Sequence, residues 1–191
     1  MGWQAVASSK GHRYRCGFCG AEVASDKRYS NTSVGGTIRA VIHICPNCER
    51  PTFIDGSGSQ VPGVRPGNEV ASVPSDLHAL YDEARKCCGV GAHTSAVLAC
   101  RKMLMNIGVA HGANAGESFA FYVDFLATSG FVPHNGKGWV DHIRKKGNEA
   151  THEIKVMQEA DAVELITFVE MLLKFIYEFP AKVPTAPAPK P

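Results

Sequence analysis

The chain has 191 residues, 45% of them hydrophobic and 20% charged, the make-up of a globular protein with room for one ordinary domain and a small module. Its 20 Lys and Arg nearly balance 18 Asp and Glu, which excludes a strong overall basic field. The imbalance is local: residues 1–56 carry seven basic against four acidic side chains, residues 57–191 thirteen against fourteen.

The first residues, MGWQAVASSKGHRYRC, contain no apolar run of signal-peptide type, and Val6 stands where myristoylation requires Ser or Thr. The next signal is two cysteine pairs, Cys16-Gly-Phe-Cys19 and Cys45-Pro-Asn-Cys48. Two sulfurs separated by two residues reach one tetrahedral ion from a tight turn, and a second such turn completes four thiolates. A redox CxxC sits between a strand and a helix, and neither pair has that setting. The pairs therefore predict one structural Zn2+ per chain, held by Cys16, Cys19, Cys45 and Cys48 in a small β-rich zinc ribbon over residues 1–56. Four thiolates fill zinc's coordination sphere and leave no place for a catalytic water. His12 and His43 are surplus to that ligand set. Between the pairs, TIRAVIHIC alternates as a strand, with Ile38, Ala40, Ile42 and Ile44 on one side.

Residues 57–74 are rich in Gly, Pro and Ser and read as a linker. From Ser75 the pattern becomes helical. Five helices are expected: Ser75 to Cys88, Thr94 to Ile107 ended by Gly108, Glu117 to Ser129 ended by Gly130, one starting near Trp139, and Glu159 to Phe179. The last contains the longest apolar stretch in the chain. Asp161, Glu164, Glu170, Lys174 and Glu178 interrupt it as a polar stripe, so it is a buried helix and not a membrane span. Residues 180–191 are a disordered Pro-rich tail. Cys87, Cys88 and Cys100 lie in apolar helical settings and read as core thiols. The location expected is cytoplasmic, with reduced thiols and no membrane partner.

The fourth helix carries RKKGNEATH, residues 144–152. With Arg144 at zero on a helical wheel, Asn148 falls near about 40°, Asp141 near about 60° and His152 near about 80°. Trp139, Ile143, Ala150 and Ile154 lie roughly opposite. A polar face is common to amphipathic helices. This one also holds the groups needed for metal-independent phosphodiester cleavage. His152 would move the proton, Arg144 would neutralise the developing charge and Asn148 would orient an oxygen.

LYDEARKCCGVGAHTSAVLACRKML, IRKKGNEATHE and AVELITFVEMLLKFIY together resemble the domain-of-unknown-function family 4145, which looks like a branch of the HEPN superfamily. The resemblance implies a mainly α fold, with a HEPN-like helical bundle over 75–179 preceded by the ribbon. It adds Arg101 to the candidate catalytic set of Arg144, Asn148 and His152. It also implies a homodimer and two functions. One is a protein that binds or acts on nucleic acid, RNA above all, in microbial defence or stress response, as a metal-independent endoribonuclease. The other is a non-catalytic dimerisation or adaptor module that recruits a protein partner through the ribbon. Seven residues separate Arg144 from His152, one more than the nuclease motif of that superfamily has. The lysines at 145 and 146 lack the planar fork that holds a phosphate through two hydrogen bonds.

Overall fold

A computed structural model describes residues 3–133, 136, 138–144 and 156–183. The chain forms two compact units, Met1–Arg65 with Gly89–Gly91, and Pro66–Cys88 with Ala92–Pro191.

The first unit is an antiparallel sheet of five strands in sequential order: β1 (Trp3–Arg15), β2 (Glu22–Thr32), β3 (Ile38–Ile44), β4 (Pro51–Asp55) and β5 (Gln60–Val61). This corrects the expectation of a mainly α chain with a minor β module, because the protein is a mixture of α and β. Strands β1 and β2 are 13 and 11 residues long, where alternation in the sequence gives little sign of a strand. The reason is chemical. The sheet buries Ser25, Ser30, His43 and Thr52 rather than a run of aliphatic residues, so its inward positions do not read as hydrophobic. Within β2 the buried positions Ser25 and Ser30 are an odd number of residues apart, and Asp26 and Lys27 are exposed in succession between them. The β1–β2 register slips between Ala7 and His12 at the same level, so a bulge exchanges the faces there. In β3 the expected single apolar side gives way to burial of Ala40 and His43, on opposite faces.

The second unit is helical: α1 (Ser75–Gly89), α2 (His93–Ala110), α3 (Phe119–Thr128), α4 (138–144), α5 (Glu159–Leu173), a π-helical turn (Lys174–Glu178) and α6 (Phe179–Lys182). Ser118 caps α3 by accepting from the Phe121 N–H at 3.2 Å, and Gly130 follows it with φ +83°. Gln158 and Asp161 form a capping box on α5. Leu77, Tyr81, Val97, Leu104, Ile107, Leu126, Ile166, Phe168 and Leu172 are among the residues that fill one core. Cys88 and Cys100 are buried in it and Cys87 packs against it. Trp139 and His142 tie α4 to α5. The Trp139 ring packs edge-on against Phe168 at 4.9 Å, and His142 Nε2 lies 2.8 Å from Glu164 Oε2.

Two local expectations fail for physical reasons. Gly108 does not end α2, which runs on to Ala110. A Cβ on Gly108 would lie 2.8 Å from Tyr122 Cδ1, so glycine is there to admit the ring. Glu170 does not face water. It is 8% exposed and accepts from the Asn68 N–H and Nδ2, each at 3.0 Å, and from Lys174 Nζ. Asn68 belongs to the segment first read as linker. That segment is built into both units. Gln60–Val61 adds β5 to the sheet, while Arg85 binds the carbonyls of Pro66 and Gly67 and the carboxylate of Glu69. No helix among the described residues is long and apolar enough to cross a membrane.

Candidate metal centre

Cys16 follows the end of β1 and Cys45 the end of β3, and each starts a turn of the same design. The Gly20 N–H donates to Cys16 O at 2.9 Å, and the Cys16 N–H to Ala21 O at 2.9 Å. In the second turn the Glu49 N–H donates to Cys45 O at 2.9 Å, and the Cys45 N–H to Arg50 O at 3.0 Å. The fifth residue of each turn takes a left-handed conformation, Gly20 with φ +71° and Glu49 with φ +58°. Gly17 answers a different need. A Cβ there would overlap Pro62 O and lie 2.7 Å from Gly63 O, so the chain leaving β5 passes directly over the first turn.

The turns bring four sulfurs within 4.8 Å of one another. Cys16 Sγ lies 3.7 Å from Cys48 Sγ, and Cys19 Sγ 3.8 Å from Cys45 Sγ. Four sulfurs at zinc's usual bond length on a tetrahedron would stand about 3.8 Å apart. The residues fit the ion: Cys16, Cys19, Cys45 and Cys48 could hold a metal such as zinc. Cys16 and Cys45 are fully buried, Cys48 is half-buried and Cys19 is exposed. Burial pushes the Cys19 thiol up, but hydrogen bonds from Asn47 Nδ2, from the Ala21 backbone and from the neighbouring thiols bring it down to about 6. Burial pushes Cys48 up to about 12 despite its bond to the Arg50 backbone. An ion needs all four sulfurs as thiolates, so its uptake releases protons.

Beside the sulfurs stand three rings. His12 stacks on His43 at 4.5 Å, and Tyr14 lies 5.3 Å from His43. His43 is 2% exposed, and burial, then His12 and Arg28, lower it to about 4, so the imidazole is neutral at pH 7. Burial raises Tyr14 to about 12. Neither histidine joins the four-sulfur set.

Among the candidate catalytic residues, Arg101 and Arg144 are described, while Asn148 and His152 lie outside the described residues. Arg101 is 9% exposed, with its guanidinium carbon 4.1 Å from the Phe119 ring centroid and its Nη1 buried without a hydrogen-bond partner. Burial lowers its pKa. Arg144 is engaged by two carboxylates: Nη1 lies 3.2 Å from Asp124 Oδ2 and Nη2 lies 3.2 Å from Asp141 Oδ1. Phe119 and Asp124 are five residues apart on α3, about 140° around it, so the two arginines meet different sides of that helix.

Residues 82–188 match the family described as Domain of unknown function (DUF4145). The chain belongs to that family. No curated protein and no solved structure was found to match it. The DUF4145 segment begins within α1 and holds Arg101, Arg144, Asn148 and His152, whereas the four cysteines of the metal cluster precede it. Sequence reasoning missed Asn47, whose amide reaches Cys19 Sγ at 3.5 Å. Its place between the second pair of cysteines was the available signal.

Proposed function

We propose that this DUF4145 protein binds nucleic acid through its N-terminal sheet, with zinc as the structural ion that holds the two cysteine turns together. The observation that carries the reading is the sheet's charge: strands and turns over residues 3–61 hold seven Lys and Arg against four Asp and Glu, and Arg13, Arg15 and Lys27 are exposed. Basic side chains on an exposed β surface bind phosphates by releasing counterions. The four-thiolate donor set supports a structural ion, because it leaves no position for an activated water. The pairing of Arg144 with Asp124 and Asp141 engages its guanidinium with carboxylates, which weighs against cleavage at that residue. The resemblance of the DUF4145 segment to the HEPN superfamily favours RNA as the nucleic acid.

Fluorescence anisotropy of the zinc-loaded full chain with labelled RNA tests the reading. Affinity should fall steeply between roughly 50 and 200 mM salt. Absence of binding at the lower salt sinks it. RNA cleavage that survives chelator and disappears in His152→Ala would replace it with the endoribonuclease.

A further inference from the structure

Tyr29, Ile42 and Phe53 stand side by side in one row across β2, β3 and β4, with Ala5 opposite Tyr29 on β1 and Val61 opposite Phe53 on β5. Trp3 lies in the next row on the same face and meets Phe53 edge-on at 6.2 Å. Despite that contact Trp3 is 43% exposed, and Tyr29 is 44% exposed because alanine is its β1 neighbour. Two half-open aromatics in one face make a patch that a partner can cover.

The charges beside them indicate which partner. Lys27 is two residues before Tyr29 on β2 and shares its face. Arg28 is paired with His43 on the opposite face, the one towards which His12 and Tyr14 turn their rings. Arg13 and Arg15 alternate with those two residues and so fall on the same side as Lys27, with Glu22 across from Arg15. From Val23, level with Tyr14, to Tyr29 this basic track runs about 20 Å along β2. It leads from two guanidinium groups through an ammonium to an open phenol ring and an indole.

We propose that this face is a stacking platform for the unpaired bases of a single-stranded nucleic acid, with Tyr29 and Trp3 against bases and Arg13, Arg15 and Lys27 along the phosphates. The assignment rests on the nucleic-acid reading above. A duplex buries its base faces and can use only the basic residues, whereas a single strand uses the rings as well.

The experiment uses the zinc-loaded full chain with a labelled oligouridylate of about twelve nucleotides and an RNA duplex of matching length. The single strand should bind more tightly than the duplex and quench tryptophan emission, and the quenching should vanish in Trp3→Ala. Tyr29→Ala should weaken single-strand binding by about tenfold or more without changing its salt dependence, and Tyr29→Phe should retain it. Lys27→Ala should weaken both ligands and lower the salt slope by about one. Zinc content equal to wild type certifies that each variant is folded. If Tyr29→Ala and Trp3→Ala bind the single strand as wild type does while Lys27→Ala does not, the platform is refuted and the nucleic-acid reading stands. If neither RNA binds, both fall. If Tyr29→Ala instead converts a dimer to a monomer in light scattering, the face belongs to a second copy and the platform is refuted.

Discussion

Glu170→Ala is the most informative single substitution in the helical unit. The native carboxylate accepts three hydrogen bonds, two from Asn68 and one from Lys174, at a position 8% exposed. Alanine leaves the Asn68 N–H and side-chain amide without their acceptor and an ammonium, 28% exposed, without its counter-charge. Removing one partner of such a buried pair costs about 3–5 kcal/mol. Glu170→Gln keeps one acceptor oxygen and loses the charge, so it should cost less, about 1–3 kcal/mol. Burial acts to raise the Glu170 pKa, but the bonds from Lys174 and Asn68 outweigh it and hold the pKa below the ordinary glutamate value. Because the folded pKa is depressed, this stability is fully present above the unfolded pKa of 4.5 and is lost as pH falls through the folded value. Urea unfolding followed by helical circular dichroism, at pH 7 and at stepwise lower pH, measures both effects. Wild type should lose stability on acidification and Glu170→Ala should lose less, so the two curves converge. Equal costs for alanine and glutamine, or a constant gap between the curves, would refute the argument.

Elemental analysis of reduced protein should give about one zinc per chain, and Cys45→Ser should abolish it and unfold the sheet while leaving most of the helical signal. Gly17→Ala should impair zinc retention, because the new methyl meets the Pro62 and Gly63 carbonyls, and metal release to a colorimetric chelator measures it. Gly108→Ala sets a helix-propensity gain of about 1 kcal/mol against a clash with the Tyr122 ring, which should win by about 1–2 kcal/mol. A rise in melting temperature would show that the ring can move aside.

The cysteine turns were legible in the sequence because both ligands of a pair lie within one turn, so local spacing carries the geometry. The helices were legible because their cores recur at helical period. Where reading failed, the deciding partner was far away in the chain. Glu170 looks like part of a wet stripe until Asn68, 102 residues earlier, is placed against it. Gly108 looks like a terminator until Tyr122 arrives from another helix. The sheet was underestimated because strands that bury serine, threonine and histidine are held by main-chain pairing, and pairing leaves no hydrophobic signature. Trp3 and Tyr29 escaped notice because their common face depends on strand register.

The left-handed residue shared by the two cysteine turns makes their halves unequal grips on an ion. Glycine at position 20 adopts that conformation freely, so the Cys16–Cys19 arm can stand ready before anything binds. Glutamate at position 49 resists it by roughly 1–2 kcal/mol, and the turn's bonds from the Glu49 N–H to Cys45 O and from the Cys45 N–H to Arg50 O hold it there. Glu49→Gly should therefore relieve the cost carried by the second turn, and slower metal release to a colorimetric chelator would measure it.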